Sequence, residues 1–208
     1  AGLPAALHAT ILTDGSHASR SPEAALELLL DLLSLDDALA QLSEPTPEPI
    51  SRAVARLTEA VRLLTLPDAR LASFQGGGPS TTARISAALA HDDAEAHRTS
   101  GVVGGLHRLS SPLLAVVADA APAAHGAWGS TACAQPLALE ITCGRDRLIT
   151  GSGWTPKSTD RQALRLTPAH STLTLGERSL NEPLGGWKGE LLGPVSYTHL
   201  TLPTIYSV

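Results

Sequence analysis

Leu137-Ala-Leu-Glu-Ile-Thr-Cys-Gly-Arg-Asp-Arg-Leu-Ile149 decides the fold class of this chain. Residues 137–142 alternate apolar and polar, the period of a half-buried strand. Gly144-Arg-Asp-Arg147 then reads as a hairpin turn, with a return strand over 147–150. Outward from this pair the same period continues. Residues 113–117 form a continuous apolar run, and Leu173-Thr-Leu175 alternates after His170. The spacing predicts strands from about His107 onward.

Upstream the period is helical. Residues 3–12 predict a short apolar helix that ends in turn chemistry at Thr13-Asp-Gly15. Ser21-Pro-Glu23 opens a second helix, with Ser at the N-cap, Pro at the first helical position and Glu in the first turn. It runs through Leu33 and is apolar nearly all round, as in a helix buried between others. Residues 44–49 are a proline-rich loop. Residues 50–64 carry Ile50, Val54, Leu57 and Val61 on one stripe, with Arg52, Arg56 and Glu59 off it. A short helix fits 80–90, capped by Ser80. Helices followed by strands predict an α+β chain, not a doubly wound sheet. The boundary falls between Asp93 and Leu106. Residues 1–98 form a helical part, residues 99–194 a strand part and residues 195–208 a separate tail. That tail holds both tyrosines, Tyr197 and Tyr206. It is similar to translated adapter sequence and is left out of the fold reading.

Composition bounds the function. A 43% hydrophobic content is globular, and a net charge of -5 offers no basic face for nucleic acid or anionic lipid. No apolar run approaches the roughly 20 residues of a membrane span, and no leader peptide opens the chain. Cys133 and Cys143 read as two buried thiols, with a disulfide as the less favoured alternative.

The chemistry-bearing residues fall in two places. In the loop Thr13-Asp-Gly-Ser-His-Ala-Ser-Arg-Ser-Pro-Glu23, His17 and Arg20 stand three apart beside a helix N-terminus. Arg offers a fork for a carboxylate, and His transfers protons near neutral pH. On local sequence alone structural roles, a salt bridge for Arg20 and a turn position for His17, are the favoured reading. His170, between Pro168 and Ser171, is the second place. His91, Asp92, Asp93 and His97 read as a solvated helix end rather than a metal cluster. Gln75-Gly-Gly-Gly-Pro79 lacks a phosphate-binding lysine and reads as a loop.

Taken in order, these segments resemble the bacterial heparinase II/III-like proteins. Residues 11–23 are similar to that family's "ILPDGGHxSRxPE", and Leu71-Ala-Ser-Phe-Gln-Gly-Gly77 to its "LALFNGxG". Residues 137–149 are like its "LSFEL-x-x-G" strand pair, and Thr167-Pro-Ala-His-Ser-Thr-Leu-Thr-Leu175 is like its "RxTxAHNTxxV". The resemblance implies the C-terminal part of an (α/α) toroid followed by the first part of an antiparallel β-sandwich. It implies a carbon–oxygen lyase that cleaves acidic, uronic-acid-containing polysaccharides by β-elimination, in the periplasm or cell envelope. A non-catalytic acidic-glycan-binding or envelope protein is the alternative.

By that resemblance His17 takes the place of the residue that neutralises the uronate carboxylate. Arg20 is a carboxylate clamp, and His170 matches a histidine that helps hold zinc in some members. Two departures stand out. Cys133 and a position near Gly151 fall where the other zinc ligands would be, so no metal and no cofactor are expected. Residues 1–194 contain no Tyr, so the family's catalytic tyrosine has no equivalent. A piece of such a chain is expected to expose helix faces and strand edges and to aggregate.

Overall fold

Helix α1, Leu3–Thr10, buries Leu7 and stops where Ile11 turns extended and bridges back to His17. The computed structural model describes residues 2–78, 80–91, 98–155, 159–176 and 178–182. The 195–208 tail, Asp92, Asp93 and His97 lie outside them. Helix α2, Pro22–Gln41, starts as the sequence predicts. The Ser21 hydroxyl accepts the Ala24 N–H at 3.4 Å, and Pro22 needs no partner in the first turn. It buries Ala25, Leu26, Leu29, Leu32 and Leu33 on one face, and Glu27 and Asp31 stay in solvent. Helix α3, Glu48–Leu64, packs against it. It begins inside the proline-rich stretch expected as loop, because Pro49 sits in a first turn whose N–H groups have no helical partner anyway. Helix α4 is Thr82–Leu89. Its N-cap is Thr81 without a side-chain cap bond, and the expected cap, Ser80, has a buried hydroxyl with no partner.

The strands form one antiparallel meander in chain order: β1 Gly101–Val103, β2 Leu106–Ser110, β3 Leu114–Asp119, β4 Leu139–Cys143 and β5 Asp146–Ile149. Strand β1 escaped the sequence reading because its three residues lie against glycines. The β1–β2 hairpin turns on Gly104 and Gly105, at φ +58° and +71°. A Cβ on Gly105 would come within 2.2 Å of the Ala121 Cβ, so glycine is required there for space as well as for conformation. The strand expected over 173–175 is absent. Leu175 makes only an isolated bridge to Arg178, and His170 follows the 3-10 turn Thr167–Ala169 rather than opening a strand.

One apolar core runs through both halves. Leu26, Leu29, Leu57, Val61 and Phe74 from the helical part join Val103, Leu106, Ala115 and Val117 from the sheet. The opposite face of the sheet leaves Val102, Leu109, Leu114 and Ile149 exposed.

Three arginines tie the halves together. Arg108 of β2 donates to the Leu63 and Thr65 carbonyls at 2.8 and 2.7 Å, satisfying carbonyls that the end of α3 leaves open. Arg147 of β5 forks onto Asp68 at 2.7 and 3.2 Å and also reaches Glu140 at 3.0 Å. Burial pushes the Glu140 carboxyl above its ordinary range, and the Gly151 N–H and Arg147 only partly offset it. Arg20 crosses the other way, from the loop before α2 to Asp119 at the end of β3.

Breaking a buried pair strands a charge, whereas an exposed pair is mostly screened. Asp119→Ala should therefore lower the unfolding free energy by about 3–5 kcal/mol. Removing the exposed Arg52–Glu48 pair with Arg52→Ala should cost about 0.5 kcal/mol or less. Urea midpoints measure both; similar small shifts would show that the seam does not depend on Asp119.

Candidate functional site

The loop 11–21 is short, and its geometry separates the two side chains that the sequence placed together. Gly15 turns it at φ +87°, where a Cβ would press to 2.7 Å from the Arg56 carbonyl oxygen. Asp14 braces it by accepting the Ser16 N–H at 3.0 Å, the Ser16 hydroxyl at 2.6 Å and the Gly104 N–H at 2.7 Å. Burial raises the Asp14 carboxyl, but these hydrogen bonds outweigh it and hold the group below its ordinary value.

His17 faces outward from this loop. Its Nδ1 accepts the Ser19 N–H at 3.1 Å and lies 2.7 Å from the Ser19 hydroxyl, so the neutral ring carries its proton on Nε2. Burial lowers its pKa, which favours that neutral form. The ring meets Trp128 edge-on, with centroids 5.2 Å apart. Both residues wall a cleft of about 770 Å³, together with Glu23, Arg84, Ser130 and Thr131. The 3-10 turn Gly126–Thr131 supplies Trp128 and Ser130. Arg84 pairs with Glu27 at 2.6 Å on the rim, and Glu23 accepts the Gly78 N–H at 2.7 Å.

Arg20 faces inward. It sits at φ +63°, left-handed for a non-glycine residue, with its side chain 7% exposed. Nε donates to the Gly104 carbonyl at 2.6 Å, Nη1 to Ala121 and Pro122 at 3.1 and 2.7 Å, and Nη2 to the Asp119 carboxylate. Four of its five N–H groups are thereby committed inside the protein. Asp119 also accepts the Gln75 amide at 2.6 Å, and Gln75 accepts the Cys133 N–H at 3.1 Å. The Gln75-Gly76 turn, read from the sequence only as a loop, is thus the junction between the helical part and the segment 131–135.

His170 is not on the cleft wall. Its backbone N–H donates to Thr167 at 3.1 Å, and its Nε2 is buried without a partner. Burial pushes its pKa down to about 4, with the Arg165 backbone and Asp119 opposing weakly. Arg165, fully buried, donates to the Ala132 carbonyl at 2.9 Å and lies 4.6 Å over the Trp154 ring. Trp154 and Trp128 went unnoticed in the sequence, while Gln75 was read only as part of a loop and Arg165 only as the start of the His170 segment. With aromatics at 3%, each Trp was the available signal.

The zinc chemistry of the resemblance does not fit these residues. Burial pushes the Cys133 thiol up to about 12, so it keeps its proton. An Asp at Gly151 would place its Cβ 2.9 Å from the Ser73 carbonyl oxygen. Among the described residues no three His, Cys, Asp or Glu side chains are grouped to hold a metal. Cys133 and Cys143 are both free, and Cys143 is only half-buried.

The half-buried His170 ring, whose Nε2 is out of reach of solvent, has a consequence for acid stability. Its folded pKa of about 4 lies below the usual 6.5, so between those values the unfolded chain takes up a proton that the folded one refuses. The contribution is complete above pH 6.5 and is lost as pH falls toward 4, on the order of 3 kcal/mol in all. His17 acts in the same direction. Urea midpoints across pH 7 to 4 should fall less steeply for His170→Gln than for the unchanged chain; parallel curves would contradict the burial of this ring.

Comparison with known proteins follows the same lines. The family model "Heparinase II/III-like, C-terminal" matches residues 93–198, about half of the chain. FtsZ-localized protein C of Caulobacter vibrioides (strain NA1000 / CB15N) is 47% identical over 189 residues, which is 90% of this chain. The chain spans about a third of that relative's length. Its name, which places it with FtsZ, overturns the expected periplasmic or envelope location. Heparan sulfate lyase HepC from Pedobacter heparinus, in a mutant form, superposes with a TM-score of 0.67 at 15% identity, over 88% of this chain and 34% of its own. A heparinase III superposes at 0.63 and 14% identity, over 88% of this chain and 36% of its own. The solved structures speak for the fold, a mixed one of helices and antiparallel sheet. By the family match the chain belongs to the heparinase II/III-like proteins.

Proposed function

We propose that this chain is part of a non-catalytic glycan-binding protein that keeps a lyase fold and works beside FtsZ, in the cytoplasm at the division site. In this reading its helices are the end of an (α/α) toroid and its sheet is the first layer of a β-sandwich. The observation that carries it is the internal commitment of Arg20. β-Elimination requires the uronate carboxylate to be neutralised before the neighbouring C–H becomes acidic enough to lose its proton. Arg20 is the one arginine of the motif, and its guanidinium belongs to Asp119 and three carbonyls. Arg84, the cation on the cleft wall, is paired with Glu27. No tyrosine stands in residues 1–194, and the buried His170 ring is neutral near pH 7. The 47% identical relative named for its place with FtsZ supports the cellular setting.

A lyase acting on acidic polysaccharides is the second reading, favoured by the Nε2–H that His17 presents in the cleft. Absorbance near 232 nm, where the unsaturated product absorbs, separates the two. The full-length protein should give no rise with heparan sulfate, alginate or polygalacturonate. A sustained rise that disappears in His17→Ala would establish the lyase instead. For the setting, the full-length protein should pellet with FtsZ polymers formed with GTP and stay in the supernatant without them; equal partition would count against it.

A further inference from the structure

The cleft beside His17 has a composition that bears on what it holds. Trp128, half-buried on the 3-10 turn, gives it an aromatic wall, and the edge contact with His17 fixes the angle between the two rings. The remaining polar surface is mostly uncharged: the Nε2–H of His17 and the exposed Ser130 hydroxyl. Among the described residues the charges on the wall are Glu23 and Glu27 against Arg84, an excess of one negative charge. Arg20, which would cancel that excess, is turned into the seam.

We infer that this cleft takes an uncharged sugar unit and discriminates against a uronate. The C–H face of a pyranose packs on an indole, and its hydroxyls pair with neutral donors and acceptors of the kind lining this wall. A uronate carboxylate would instead enter beside Glu23, where among the described lining residues the one cation, Arg84, is already paired with Glu27, so it would lose hydration without a free charged partner. The inference deepens the glycan-binding reading and rests on it.

Calorimetric titration of the full-length protein with three tetrasaccharides tests it: uncharged N-acetylchitotetraose, acidic tetragalacturonate and cationic chitotetraose. The uncharged ligand should bind about ten-fold tighter than the acidic one. Trp128→Ala should weaken it about ten-fold, whereas Trp128→Tyr keeps most of the affinity. Glu23→Gln retains an oxygen for the Gly78 N–H, so the fold is kept, and it should raise tetragalacturonate affinity about three-fold. Thermal melts check each variant, and Glu23→Gln carries the test if Trp128→Ala unfolds. The inference is overturned if tetragalacturonate binds as tightly as the uncharged ligand, if only chitotetraose binds, or if none binds. Tight tetragalacturonate binding without a rise at 232 nm would overturn it and leave the non-catalytic reading intact. A rise at 232 nm would overturn that reading by itself.

Discussion

The carboxylate of Asp119 is the point on which the two halves of this chain agree. It is fully buried at the end of β3, and it accepts from Arg20 of the helical part and from Gln75 of the loop after α3. A buried carboxylate survives only where its oxygens are paired, so the three residues require one another. Gln75 in turn holds the Cys133 N–H and thereby places the segment leading to β4. Arg108 and Arg147 repeat the device farther along the sheet, each donating to backbone carbonyls at or just after the end of α3. The common apolar core supplies most of the attraction, as burial of nonpolar surface does generally. These polar ties fix the register in which the sheet meets the helices.

That constraint also sorts the loop that carries the site. His17 and Arg20 are three residues apart, and in a helical segment both side chains would lie on one face and could serve one ligand. Here the loop doubles back through Gly15, and Arg20 is held left-handed with its guanidinium in the seam. His17 is left alone on the cleft wall. The motif around both residues is therefore readable first as an architectural element. Its arginine reports a contact between helices and sheet, while its histidine and Glu23 line the cleft.

Much of the fold was legible because its determinants are local. The Ser21-Pro22-Glu23 start of α2, the stripe of α3 and the Gly144 turn between β4 and β5 each follow from residues within one or two turns of chain. Helix α4 and strand β1 are short, so their ends depend on packing more than on their own sequence. The start of α4 shifted from Ser80 to Thr81 for that reason. The site was less legible. Whether an arginine is free depends on a carboxylate 99 residues away, and how far the His170 ring is desolvated depends on the segments packed around it. Local pattern carries no record of either.

The family match and the chemistry of the cleft accordingly separate. The motifs that identify the family are largely those that build the seam: Gly15 and Arg20 in one, Gln75 and Gly76 in another, Glu140 in the strand pair. Their preservation demands the fold and nothing more of the cleft. Changes at Cys133, Gly151 and the cleft wall leave that framework untouched, since Cys133 contributes its backbone N–H and Gly151 its lack of a side chain. A scaffold held this way can lose its proton-transfer groups without losing stability. Trp128, a wall residue of the cleft that lies outside these motifs, is then free to suit another ligand.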